Sequence, residues 1–318
     1  MTMTRTSRRM FCAAAALALP SVMLAASTAC RGKHGPTQAQ TFATPQIAVV
    51  ELTKAVKSRD LAKVMAIFGP DAQALVDTAD TVTARRNQQV FSVAASEHWR
   101  LEDAGPDRKT LVIGFEEWPF PIPLVKDGGA WRFDTAAGTE EVLARRIGRN
   151  ELAAIKISQA YVAAQRLYAK YGHDGKSAGI YAAAFRSDPT RQNGLYWQPG
   201  RGQRRSPLGD LLSAASVDAL PRRVAGEGPK PFHGYYFRIL TAQGAAASGG
   251  ARDYIVHGEL TGGFALVAWP AQYDVTGIMT FIVNQDRVVW ERDLGADTGT
   301  AARAISTYDP DTSWAATR

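Results

Sequence analysis

The chain has 318 residues, 46% of them hydrophobic and 21% charged, with a formal net charge of +7. That length supports two hydrophobic cores, and the charge is too mild, with arginines scattered in pairs, to indicate a nucleic-acid partner. Both cysteines, Cys12 and Cys30, stand in the first 30 residues, which excludes a disulfide framework, a thiol nucleophile and a Cys-ligated metal from the body of the chain.

Residues 1–29 read as a secretory leader. Arg5, Arg8 and Arg9, with no acid among them, precede an apolar run from Phe11 to Ala26 and then small residues. The run is short, rich in alanine and interrupted by Pro20, which makes it a poor permanent membrane span. Ser7-Arg8-Arg9-Met10-Phe11 resembles the twin-arginine export motif. Cys12-Ala13 follow where that motif usually has Leu and Lys, so the general secretory route stays open. Ser27-Thr28-Ala29-Cys30 resembles a lipobox, in which Cys30 carries lipid and residues 30–43 form a tether. Ordinary cleavage after Ala26 or Ala29, or nearer Gln40, stays open beside it. Loss of residues 1–29 leaves 34 basic residues against 30 acidic ones. The expected location is the periplasm or outer envelope of a bacterium, with membrane contact only through Cys30.

The first folded unit is expected over residues 44–138. Thr44-Pro45 is an N-cap with proline at the first helical position. Ile47, Val50, Leu52 and Val56 supply an apolar face, and Asp60 caps a second helix stopped by Gly69-Pro70. A third helix spans Asp80 to Glu97. Strand signals follow at Trp99–Leu101, Thr110–Phe115, Phe120–Val125 and Trp131–Phe133, with turns at Gly105-Pro106-Asp107 and Asp127-Gly128-Gly129. Pro119, Pro121 and Pro123 remove backbone donors along one flank, which predicts an edge strand. Helices followed by an antiparallel meander read as α+β.

The second unit is expected over 139–318. Thr139 starts a connecting helix, and Asn150 caps a longer one whose apolar stripe is Leu152, Ile155, Ala160, Tyr161, Ala164, Leu167, Tyr168 and Tyr171, with Gly172 as the stop. Residues 172–231 form a long excursion, rich in Gly, Pro, Ser and Arg, with a short helix at Leu208–Ala219. Strands at Tyr235–Leu240, Phe264–Trp269, Met279–Val283 and Val288–Glu291 make a four-stranded antiparallel sheet, its last two joined by a hairpin at Asn284–Arg287.

Signatures of chemistry are sparse. Gly200-Arg201-Gly202 lacks the third glycine of a dinucleotide loop, and no Walker loop, HExxH or G-x-S-x-G occurs. Glu116 and Glu117 are adjacent and would face opposite sides of a strand. No cofactor is implied. The candidate ligand-binding residues are His233 at a strand start with Tyr196, Trp197 and Arg205 from the excursion. Asp309 and Asp311 offer oxygen ligands for a cation, with Asp297 in reach if the Ala301–Ser306 segment folds back, and an Asx-turn is the plain alternative.

Three segments carry a family resemblance: Glu117-Trp118-Pro119-Phe120-Pro121-Ile122-Pro123-Leu124-Val125, Trp131-Arg132-Phe133-Asp134-Thr135-Ala136-Ala137-Gly138, and Phe232-His233-Gly234-Tyr235-Tyr236-Phe237-Arg238-Ile239-Leu240. They resemble an exported bacterial family catalogued as domain of unknown function 2950, a resemblance that runs from Thr44 through Trp314 and implies no activity. The 44–138 unit, ending in Gly129-Ala130-Trp131-Arg132-Phe133, is similar to NTF2-like or cystatin-like domains. The later strands resemble pilin-like globular heads, in which a long helix lies on an antiparallel sheet; true pilins begin with an uninterrupted apolar helix, which this one is not. These likenesses are analogies of fold. The expectation is a non-catalytic envelope protein of assembly or interaction, with an envelope protein as its partner. The alternative is a periplasmic enzyme or small-ligand binder using a cleft between the two units.

Overall fold

The computed structural model describes residues 38–73, 81–200, 204–209 and 230–317. The leader, Cys30, most of the tether and all of the Leu208–Ala219 segment beyond Gly209 lie outside the described residues. The described chain is α+β, with helices packed on antiparallel sheets.

Helix α1 (Pro45–Lys57) starts as its sequence dictates, with the Thr44 side chain accepting from the Ile47 N–H. Its buried face is Ala48, Val49, Leu52 and Ala55, while Ile47 and Val50 are exposed. Small residues win that face because α2 (Leu61–Phe68) and α3 (Thr81–Glu97) press close against it. Asp60 caps α2 by accepting from the Lys63 N–H at 2.9 Å, and Gly69 ends it at φ +79°. The Gln88 side chain donates to the Val56 carbonyl at 3.1 Å and ties α3 to the end of α1.

The first sheet comprises β1 (Trp99–Asp103), β2 (Arg108–Ile113), β3 (Trp118–Pro119), β4 (Leu124–Asp127) and β5 (Ala130–Phe133). The order is β1-β2-β4-β5, and β3 pairs with β2 beside β4. The proline segment is therefore no continuous edge strand. Trp118–Pro119 pairs with Ile113 and Val112, and Leu124–Val125 pairs with Lys109 and Arg108. Four residues, Phe120 to Pro123, thus span the two left on β2: Phe120 still donates to the Leu111 carbonyl at 2.7 Å, and the chain leaves the ladder after it. Three prolines in five positions supply too few donors to hold it. Leu111, Ile113, Leu124, Trp131 and Phe133 join α1, α2 and α3 in one buried cluster.

Helix α4 runs unbroken from Thr135 to Ala169, capped by Asp134. The separate connecting helix and the Asn150 cap do not occur. An asparagine inside a helix costs little when its side chain has other work, and the Asn150 amide donates to the Thr276 carbonyl at 2.8 Å. Next to it, Glu151 accepts from the Ile278 and Met279 N–H groups at 2.9 and 3.0 Å. At its start, α4 belongs to the first core: the buried Thr135 hydroxyl donates to the Phe68 carbonyl at 2.6 Å.

The second sheet has five strands rather than four. Its order is β6 (Tyr235–Leu240), β11 (Ala265–Pro270), β12 (Met279–Asn284), β13 (Val289–Asp293) and β14 (Ala315–Ala316), all antiparallel. Between β6 and β11 the chain makes two small pairings, β7 (Ala242–Gln243) with β8 (Arg252–Asp253) and β9 (Ile255–Val256) with β10 (Glu259–Leu260). Every residue of β11 is buried, with α4 and α5 (Thr298–Ala304) both packed against it. Gly277 passes so close to the Tyr235 phenol that a side chain there would collide with the ring.

The stripe that α4 buries is Ala154, Ile157, Ser158, Tyr161, Val162, Ala164, Gln165 and Tyr168, whereas Leu152 and Leu167 face solvent. Polar Gln165 takes a core place because its amide reads both backbone groups of Ala182, donating at 2.7 Å and accepting at 2.8 Å.

Candidate functional site

An apolar ridge marks the first unit. Val90 and Val93, one turn apart on α3, are 59% and 53% exposed. The β2–β3 turn comes up against this helix at Gly114, where an added side chain would touch Ala94. That turn presents Phe115, 77% exposed and stacked on His98 at 6.3 Å, and Trp118, 45% exposed. The Arg145 guanidinium of α4 lies 5.5 Å from the Trp118 ring and donates to the Pro119 carbonyl at 2.7 Å. Arg100, hydrogen-bonded to Glu117 at 3.1 Å, adds a charged rim.

A second concentration of side chains sits at the C-terminal end of α4. The excursion folds back on itself here: Tyr196 N–H donates to the Phe185 carbonyl at 2.8 Å and Ser187 N–H to the Tyr196 carbonyl at 2.8 Å. His173 is buried, stacked on Tyr168 at 4.2 Å and 5.3 Å from the Trp197 ring. Trp197 donates its indole N–H to the Arg204 carbonyl at 3.1 Å, and the Arg204 guanidinium lies 3.6 Å from the centre of the Tyr171 ring. The Arg186 guanidinium covers Tyr196 at 5.2 Å.

Beside these rings a pocket of about 130 Å³ opens, lined by Tyr168, Asp174, Lys176, Tyr181, Asn193 and Glu259 among others. It is small against the ~300–1,000 Å³ of ordinary small-molecule sites. Its charges are matched internally. Lys176 pairs with Glu259 at 2.9 Å, and the Arg191 guanidinium beside Asp174 holds that carboxyl below the usual range. Burial pushes the Tyr168 phenol up to about 12, and its hydroxyl donates to the Gln192 carbonyl at 2.9 Å. A neutral phenol between paired ions can position a ligand; it offers no free base.

The three segments that carried the family resemblance now have places: they supply β3, β4, β5, the start of α4, and β6. A family model described as "Protein of unknown function (DUF2950)" matches residues 39–317. The chain belongs to this family. Among curated proteins and solved structures nothing matches it.

Within this DUF2950 chain the four ligand candidates fall in two places. Tyr196, Trp197 and the exposed Arg205 share the excursion at the end of α4. His233 opens β6 with its ring 4.4 Å from Phe232, and burial against its neighbours lowers its pKa. Among the described residues no ring contact or hydrogen bond joins His233 to Tyr196 or Trp197. Both cation candidates accept from backbone N–H groups through one carboxylate oxygen. Asp309 accepts from the Ala246 N–H at 2.8 Å, and Asp311 forms an Asx-turn with the Ser313 N–H at 2.8 Å. The Ser313 hydroxyl also donates to Asp311 and lowers its pKa. Asp297 stands at the N-terminus of α5. Among the described residues no group of three His, Cys, Asp or Glu side chains is arranged to hold a metal, and no helix is long and apolar enough to cross a membrane. Tyr168, Arg204 and Gln192 are brought together by the fold, and the one sequence signal for that place is Tyr168, Tyr171 and His173 ending an amphipathic helix together.

Proposed function

We propose that this protein is a non-catalytic component of the bacterial cell envelope, exported by its leader and serving assembly or interaction there. The observation that carries this reading is the ridge of Val90, Val93, Phe115 and Trp118 on the first unit. Scattered apolar side chains on a surface are ordinary, but four on one helix and the turn packed beside it, with charge at their rim, support an interaction surface. Export rests on the charged, apolar and small-residue order of residues 1–29, and lipid anchoring on Cys30.

The same reading takes residues 44–138 as an NTF2-like unit and 139–318 as a pilin-head-like one. What supports it is the order of helices before a five-stranded sheet in the first, and a long helix lying on an antiparallel sheet in the second.

Photocrosslinking in cells tests the interaction reading. A photoreactive residue at Phe115 or Val93 is expected to give an adduct of one defined mass in the envelope fraction, absent when the same residue replaces the exposed Leu152 on α4. Identical outcomes at all three positions would remove the ridge as an interface. Cys30→Ala is expected to move the protein from the membrane to the soluble fraction, and membrane association that survives the change rules out the anchor.

The pocket beside Tyr168 favours a second reading, a binder of one small polar molecule. Its lining residues all come from the second unit, so the ligand would sit within that unit and not in a cleft between the two. Soaking crystals with small polar solutes and finding the pocket empty in each case would remove it.

A further inference from the structure

The face of the second sheet beneath α5 gathers hydrogen-bond donors. Register sets Trp269 of β11 opposite Tyr236 of β6, and Thr280 of β12 opposite Arg292 of β13. Ala268 pairs with Phe281, so the antiparallel pairing carried one residue further places Trp269 against Thr280. Tyr236, Trp269, Thr280 and Arg292 thus form one row across four strands. Arg238, two residues from Tyr236, projects from the same face.

Arg238 is aimed at α5. Its Nη1 donates to the Arg303 carbonyl at 3.1 Å, and Nη2 donates to the carbonyls of Ala302, at 3.0 Å, and Ile305. Its Cζ lies 5.8 Å from the centre of the Trp269 ring. Three polar atoms of this face, Arg238 Nε, Trp269 Nε1 and Thr280 Oγ1, are buried and have no hydrogen-bond partner in the protein. Trp269 is 5% exposed and Thr280 0%. Buried donors are almost always paired, so three on one face require an acceptor from outside the chain.

The chemistry of that acceptor follows from the donors. Guanidinium and indole N–H groups only donate, and a hydroxyl has one proton to give. A water molecule accepts at two lone pairs and needs acceptors for its own two protons. An anion accepts from all three. It also neutralises a guanidinium whose three partners are main-chain carbonyls rather than a carboxylate. We propose that Arg238 Nε, Trp269 Nε1 and Thr280 Oγ1 form a binding site for a small inorganic anion, a halide or an oxyanion, held between the second sheet and α5. The Nη1 bond to Arg303 lies at the surface, which gives the anion its way in. Bound there, it joins β6, β11 and β12 to the arginine that holds the C-terminal end of α5.

The test follows the Trp269 indole N–H of the full chain by nuclear magnetic resonance, its signal assigned with Trp269→Phe. Bromide and phosphate are titrated separately at an ionic strength held constant with gluconate. At least one of them is expected to shift the signal to saturation, bromide alone indicating a halide site and phosphate alone an oxyanion site. Arg238→Lys is expected to weaken the midpoint about tenfold or more, and Thr280→Val about threefold or more with the rest of the spectrum retained. If Arg238→Lys fails to fold, Thr280→Val, which preserves the shape of the strand, decides alone. A linear drift with both anions overturns the site, as does an unchanged midpoint in Thr280→Val. An indole proton that cross-relaxes with water and ignores both anions also overturns it, and assigns the row to water.

Discussion

All ten tyrosines of the chain lie at or after Tyr161, whereas the core formed by residues 42–133 takes its aromatic side chains from phenylalanine and tryptophan alone. The second core uses its phenols as ties. Tyr161 donates to the Ala265 carbonyl at 3.1 Å, Tyr235 to the Met279 carbonyl at 2.9 Å, and Tyr254 to the Gln243 side chain at 2.8 Å. Each hydrogen bond fixes one segment against another, which a phenylalanine cannot do. The first unit leaves apolar side chains outside on α3 and the β2–β3 turn, while the second carries polar groups inside. Exposed apolar side chains occur in both units, Leu152, Ile255 and Val288 among those of the second, so the difference lies in the phenols that tie the second core together.

The strongest test of the contrast is alkali. Burial raises the pKa of Tyr161, Tyr168, Tyr235, Tyr254 and Tyr308, two of them to about 12. A folded pKa above the unfolded value near 10 means stability fully present below pH ~10 and lost as pH rises through ~12. The loss accumulates between the unfolded and the folded pKa, where the unfolded phenol is ionised and the folded one is not. The second unit is therefore expected to unfold between about pH 10 and 12, with tyrosinate absorbance rising as its circular dichroism falls. Fluorescence of Trp99, Trp118 and Trp131 should persist beyond that step. A single transition followed by every probe would show that the two regions are one cooperative body.

Gln165→Ala removes an amide that serves Ala182 at both backbone groups and also donates to Tyr161 at 3.1 Å. It is expected to destabilise the second unit by about 2–4 kcal/mol, since buried partners are left unpaired. A loss below about 1 kcal/mol in denaturant melts would mean that water replaces the amide and that this interior is wetter than its packing implies. In the first unit, Thr44→Ala deletes the cap of α1 and should cost about 1 kcal/mol, read as a lower denaturation midpoint for that unit alone.

The smallest effect is expected at the leucines that sequence placed in the core. Leu167 is 40% exposed, and Leu167→Ala should change stability by less than about 1 kcal/mol. Phe115→Ser should be similarly mild, with any loss appearing in the crosslinking and not in the melt.

The ends of the first two helices were the most legible features because they are local: Thr44-Pro45, Asp60 and Gly69 act within one turn of their own position, whereas the starts expected at Thr139 and Asn150 fell inside one longer helix. The β6, β11, β12 and β13 strands were legible for the same reason, as β-branched and aromatic runs. The α4 stripe was not. Hydrophobicity selected Leu152 and Leu167, but the buried positions Ala154, Ser158, Tyr161, Gln165 and Tyr168 follow one helical line that includes two polar residues. Their place depends on Ala182 and the second sheet, far away in sequence. The sheet's fifth strand escaped notice because Ala315-Ala316 has no strand-forming side chain and is held by pairing with Trp290 and Glu291. Of the candidate site, Tyr196 and Trp197 were visible as aromatics in a polar stretch. The carbonyl that Trp197 meets and the arginine on Tyr171 depend on how the excursion folds back, which spacing does not encode.

At 1.5 Å per residue, the 35-residue α4 is about 52 Å long. One end is pinned by Thr135 to the Phe68 carbonyl and the other by Tyr168 to the Gln192 carbonyl, so this helix is a ruler with a fixed phase. A single residue inserted between Arg145 and Asn150 would lengthen it by only about 1.5 Å but rotate one end against the other by about 100°. Arg145 or Asn150 would then turn away from its carbonyl. Insertions of seven residues, close to two whole turns, should be tolerated far better than insertions of two. In evolution, such a spine permits the ridge and the pocket at its two ends to change their chemistry freely while holding their separation and relative bearing constant.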